Sequence, residues 1–154
     1  MRVTTPVLLL ALFAALLPTA RASMPDLDLN QYRGKVVYLD FWASWCEPCR
    51  KSFPWMNAMQ KAYGGRGLVV IAVNVDTVRS DADHFLRTVP ANFQVLYDPA
   101  GDLAQRYRLV GMPSAFLVDR DGHIVTHHEG FTRDSPRVEE AEIQKLLAQM
   151  SPTS

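Results

Sequence analysis

Hydrophobic and polar positions along this chain fall into two alternating patterns. Residues 35–41 are apolar almost without interruption and rich in β-branched and aromatic side chains, which predicts a central strand. From Glu47 to Tyr63 the period changes. Phe53, Met56, Met59 or Gln60, and Tyr63 share one helical face, Pro54 should kink the helix, and Gly64-Gly65-Arg66-Gly67 should end it. Residues 68–75 predict a second buried strand, parallel to the first because a helix joins them.

Residues 81–89 have helical spacing, with Ser80 as cap and Pro90 as stop. Residues 95–97 read as a short edge strand and 101–107 as a short helix. Ser114–Val118 and Ile124–Glu129 form a hairpin about the turn Asp119-Arg120-Asp121-Gly122. Residues 135–150 close the chain as an amphipathic helix, with Val138, Ala141, Ile143, Leu146, Leu147 and Met150 apolar. The order β-α-β-α-β-α-β-β-α predicts an α/β protein, a mixed sheet with helices on both faces.

Composition changes this picture at the N-terminus. Residues 1–22 combine Arg2, an apolar core over residues 7–17 and the small-x-small site Ala20-Arg21-Ala22, the pattern of a secretory signal peptide. The apolar core is shorter than the roughly 20 residues a spanning helix needs. A retained N-terminal membrane anchor is the alternative reading. The organisation expected is a leader over 1–22 and one domain over 23–154, periplasmic or otherwise exported. No cysteine follows the leader to carry a lipid. The whole chain has 16 basic and 16 acidic residues; without Arg2 and Arg21 the remainder is slightly acidic, so nothing suits it to nucleic acid.

Candidate chemistry centres on Trp45-Cys46-Glu47-Pro48-Cys49, which holds the only two cysteines. The pair lies where a strand gives way to a helix, and the N–H groups and positive dipole of a helix N-terminus favour thiolate over thiol. A second thiol one turn further in can resolve a mixed disulfide formed at the first. Zinc needs about four ligands. There is no second cysteine pair, and His84, His123, His127 and His128 are better read as solvated surface residues, so no metal and no cofactor are expected.

At these residues the sequence resembles the thioredoxin superfamily, and within it the TlpA/ResA-like exported thiol–disulfide oxidoreductases. The carriers are residues 41–50 (Phe-Trp-Ala-Ser-Trp-Cys-Glu-Pro-Cys-Arg), Pro54, and residues 111–119 (Gly-Met-Pro-Ser-Ala-Phe-Leu-Val-Asp). The resemblance implies a thioredoxin fold with an inserted strand–helix unit between Asp76 and Val110. It implies Cys46, at the exposed end, as the attacking thiolate and Cys49, shielded in the first turn, as the resolving thiol. Pro113 matches the family's cis-proline facing the dithiol, with the Met112 backbone free to pair with an extended substrate; the plainer reading of Pro113 is a strand starter.

Asp40 matches the buried acid of thioredoxin. Its pKa should rise on burial, and it would then serve as general base for Cys49. An aspartate that caps a turn or reaches water is the other reading. Two departures bear on it. Ser52 stands where ResA-like members have a helix glutamate, and the lysine that accompanies the strand acid in thioredoxin is absent.

Pro48 fixes the first helical turn, and Glu47 beside Cys46 opposes a thiolate, which makes the couple more reducing. Trp42, Trp45 and Met112 could form an apolar apron about the dithiol; Phe116 and Leu117 fit the core better. The expected function is reduction of disulfides in exported proteins, with a membrane thiol–disulfide electron donor and a monomeric state. Cytochrome c maturation and copper-site assembly are the settings the resemblance implies. A copper-binding or redox-silent adaptor and a disulfide-forming oxidant are the alternatives.

Overall fold

The computed structural model describes residues 27–149. The expected leader over 1–22 and Met150, the last residue of the helix expected over 135–150, lie outside them. Five strands form one sheet: β1 (Val36–Trp42), β2 (Leu68–Asn74), β3 (Gln94–Tyr97), β4 (Ser114–Val118) and β5 (Ile124–Glu129). Their spatial order is β3-β2-β1-β4-β5, parallel across β1–β2–β3 and antiparallel across β1–β4–β5. β1 is central and buried along its whole length. The helices are α1 (Glu47–Tyr63), α2 (Arg79–Thr88), α3 (Asp102–Arg106) and α4 (Ser135–Ala148).

Strand alternation sends Val36, Tyr38, Asp40 and Trp42 to one face of β1, and Val37, Leu39 and Phe41 to the other. The first face packs with Phe53 and Met56 of α1, Phe85 of α2, and Ile143, Leu146 and Leu147 of α4. The second packs with Leu27, Leu103 of α3, Tyr107 and Phe116. Helices therefore cover both faces, and the dithiol helix shares its side with Asp40.

Several boundaries depart from the sequence pattern for local reasons. α2 begins two residues earlier than expected; Val78 is its N-cap and Ser80 lies inside the helix, so Ser80 is no cap. α1 runs through Pro54 without a break. In α4 the early turns are rotated relative to expectation. Val138 and Ala141 face solvent, while Glu139 is buried with Ile143, Leu146 and Leu147. The stripe 139–143–146–147 has the i, i+4, i+7, i+8 spacing of one helix face, whereas Val138 falls on the polar row with Glu142, Lys145 and Gln149.

Candidate active site

β1 delivers the chain to the site, and a short loop turns it into α1. Val75 N–H donates to the Trp42 carbonyl at 3.0 Å, extending the β1–β2 ladder past its last strand pair. Asp76 then clamps the loop: it accepts from Ser44 N–H (2.9 Å) and Ser44 Oγ (3.0 Å), and from Asn74 Nδ2 (2.7 Å). Nothing in the sequence pattern singled out Asp76 or Asn74, because an Asn-x-Asp just past a strand reads as ordinary turn chemistry.

Cys46 is the N-cap of α1, with an extended backbone, and its sulfur accepts the Cys49 N–H at 3.2 Å. A sulfur in this position takes up one of the helix's unpaired amide donors, so negative charge there is favoured by both the hydrogen bond and the dipole. Cys46 and Cys49 are joined in a disulfide, with Cα atoms 5.3 Å apart. Exposure is smaller than expected: Cys46 keeps only 4% of its surface and Cys49 none, so Cys46 is a buried residue rather than an exposed one. The asymmetry still leaves an incoming thiolate a single target.

The surroundings of the pair divide by exposure. Trp45 projects into solvent at 72% exposure, whereas Trp42 is fully buried between Phe53 and Phe85 and takes no part in an apolar apron. Phe116 and Leu117 belong to the core. Glu47 is exposed, its carboxylate 4.0 Å from Arg50, and Pro48 is half-buried in the first turn. Trp45 and Arg50 wall a cleft of about 230 Å³ with Ser44, Asp81, His84 and Phe85. The Met112–Pro113 bond is cis, Pro113 is buried, and its carbonyl accepts from Gly130 N–H at 2.8 Å. Register sets this segment at the same sheet end as the dithiol, since Phe41 of β1 pairs with Ser114 of β4.

Asp40 is 1% exposed, and neither carboxyl oxygen has a hydrogen-bond partner. Burial, and then the charge of Glu139, push its pKa well above the usual carboxylate range. The capping reading therefore fails. Ser52, at the position of the family's helix glutamate, is buried and donates to the Cys49 carbonyl at 3.0 Å. Glu139 and Tyr38 complete the buried polar set: the Tyr38 hydroxyl donates to Glu139 Oε2 at 2.5 Å. Glu139 was missed because helical pattern reading places acids outward; extending the Ile143–Leu146–Leu147 stripe back one turn would have found it.

The histidines are not all solvated. His128 is half-buried and pairs with Glu142 at 2.6 Å, and the ring of His127 stacks on Phe116. Among the described residues, Asp119, Asp121 and His123 form a group of metal-ligating type. It lies at the β4–β5 turn, the opposite end of the sheet from the cysteines.

A disulfide capping the helix that follows the central strand, with a cis-proline at the same sheet end and a buried acid in that strand, marks the thioredoxin superfamily. The family model described as AhpC/TSA matches residues 15–127, and the chain belongs to that family. It is similar to the thiol-disulfide oxidoreductase ResA of Bacillus thuringiensis subsp. konkukian (strain 97-27), 32% identical over 104 residues. That match covers 68% of this chain and 60% of the relative. ResA of Bacillus subtilis (strain 168) is 33% identical over 99 residues, covering 64% and 55%. The chain thus spans less than two thirds of the length of these curated relatives.

A crystal structure from Chlorobium tepidum, provisionally named thiol:disulfide interchange protein DsbE, is 48% identical with a TM-score of 0.76. It covers 78% of this chain and 85% of its own. Among the described residues no helix is long and apolar enough to cross a membrane.

Proposed function

We propose that this protein is a thiol–disulfide oxidoreductase that reduces disulfides in exported proteins. The observation that carries the reading is the disulfide at the N-terminus of α1, where the Cys46 sulfur receives a helix amide and Cys49 is wholly enclosed. In the reduced protein the Cys46 thiolate attacks a substrate disulfide and forms a mixed disulfide. Cys49 then gives its proton to the Asp40 carboxylate and attacks Cys46, releasing the substrate as a dithiol. A thiol–disulfide donor, on this reading membrane-bound, returns the pair to the reduced form.

Trp45 and Met112 would hold the substrate beside the pair, Pro113 would set the Met112 backbone against an extended segment, and Pro48 would hold the first helical turn. The reducing direction is supported by Glu47, whose charge opposes the thiolate form of its neighbour. Disulfides between the haem-binding cysteines of apocytochrome c, or between the copper-site cysteines of oxidase assembly factors, are the substrate classes the family resemblance suggests. The copper-carrier alternative would use Cys46 and Cys49 with a histidine. The metal-ligating group at the β4–β5 turn, Asp119, Asp121 and His123, contains neither cysteine.

Trapping tests the reading. Cys49→Ala should accumulate mixed disulfides through Cys46 with exported proteins of the native host, and Cys46→Ala should accumulate none. Absence of trapped species in both variants overturns it. Equilibration with glutathione separates reductant from oxidant: a pair that stays largely oxidised in excess reduced glutathione is a reductant.

A further inference from the structure

Resting on the reading of Cys46 and Cys49 as an exchanging dithiol, we propose that Glu139 is a positioning residue for the proton of Asp40. At rest the single negative charge that the two carboxyls carry lies on Glu139 and the proton on Asp40, which gives it up only above its raised midpoint.

The two carboxyls are each 1% exposed and line one core, on the face of β1 that α1 and α4 cover. In such a medium two neighbouring like charges oppose each other strongly, so one group keeps its proton. Their surroundings decide which. Burial raises the pKa of Glu139 as it does that of Asp40, but Glu139 receives the Tyr38 hydroxyl at 2.5 Å, and His128 and Ser135 also favour its anion. Tyr38 is itself held in the protonated, donating form by burial and by the charge of Glu139. Asp40 receives no hydrogen bond at all.

The groups facing the pair can be named element by element. β1 contributes Tyr38, α4 contributes Ser135 and Glu142, and β5 contributes His128, which is bound to Glu142. α1 contributes Trp55, whose ring meets Tyr38 edge-on at 5.3 Å, and the two cysteines belong to the same core cluster as Tyr38. Among the influences on the Asp40 carboxyl no cation figures.

The placement has a chemical consequence. Above the Asp40 midpoint, Cys49 S–H gives its proton to the Asp40 carboxylate and its sulfur attacks Cys46; the Cys46–Cys49 bond forms and the substrate sulfur leaves with the electron pair of the broken mixed disulfide. The product state is an oxidised pair above a neutral Asp40. A fixed negative charge on Glu139 raises the proton affinity of Asp40 and so makes it a stronger base for this step. The role is electrostatic; Glu139 need not touch a sulfur.

Carbon-13 carboxyl NMR of the oxidised protein reads the Asp40 titration directly, with Asp40→Asn identifying the signal. Glu139→Gln should lower the Asp40 midpoint by about one pH unit or more, and Glu139→Asp should restore most of it. Tyr38→Phe should lower it as well, because Glu139 then loses its donor and takes a share of the proton. A thionitrobenzoate mixed disulfide on Cys46 supplies the kinetic readout. The pH at which Cys49 expels the coloured thiolate half-maximally should fall with the midpoint.

An Asp40 midpoint unmoved in a natively folded Glu139→Gln protein overturns the proposal. If that variant does not fold, an unmoved midpoint in Tyr38→Phe does so. A shifted midpoint together with failed trapping in Cys49→Ala would support the charge placement and reject the exchange function instead.

Discussion

Asp40 is the residue where burial and chemistry meet most sharply. A carboxyl with a raised folded pKa holds its proton longer in the folded than in the unfolded state. Its contribution to stability is therefore complete below the unfolded pKa of about 3.9 and is lost as pH rises through the folded value. Asp40→Asn should be close to neutral below the unfolded pKa and increasingly stabilising from there up to the folded one. The gain approaches about 1.4 kcal/mol for each pH unit of the shift, and denaturant melts at a series of pH values check it. The same substitution should slow resolution of a mixed disulfide. Asp40 was legible in the sequence because an acid in an apolar run breaks a simple pattern. Glu139 was not, because an acid in an amphipathic helix fits the pattern wherever it points.

Elements hold their shape here through contacts between helix and sheet as much as within either. β3 pairs with β2 only from Ile71 onward, which leaves Val70 without a strand partner on that side. α1 fills the gap: Gln60 Oε1 accepts the Val70 N–H at 2.7 Å, and Gln60 Nε2 donates to the Leu68 carbonyl at 3.4 Å. Gln60→Ala should leave that amide unpaired next to the core and cost about 1–3 kcal/mol, read as a lower urea midpoint with unchanged slope. Asp76→Ala should cost comparably and free the loop before Cys46, seen as faster amide exchange at Ser44. Strand and helix identities were readable from period alone, since long periodic runs leave few choices. The rotation of α4 and the Asp76 clamp were not, because both depend on what lies across the fold.

For the whole molecule, the redox state of one short loop should register in global stability. Closing a loop of this length restricts the unfolded chain by about 2 kcal/mol, and Glu47 removes part of the compensation a reduced thiolate would supply. The oxidised protein should melt a few degrees above the reduced one; calorimetry in the presence and absence of a dithiol measures the difference. A reduced form that melts higher would mark an oxidant, since stabilisation of the dithiol makes a couple oxidising. Glu47→Gln should narrow the gap and make the pair easier to reduce.

The contrast among the three tryptophans gives the molecule an optical signal of its own. Trp42 is sealed in the core, the indole nitrogen of Trp55 is buried, and Trp45 stands in solvent directly beside the disulfide. A disulfide quenches a neighbouring excited indole and a dithiol does so less. Reduction should therefore brighten a red-shifted emission component that Trp45→Phe abolishes. Electron flow through this protein can then be followed by light in real time, without a label and without a coloured substrate.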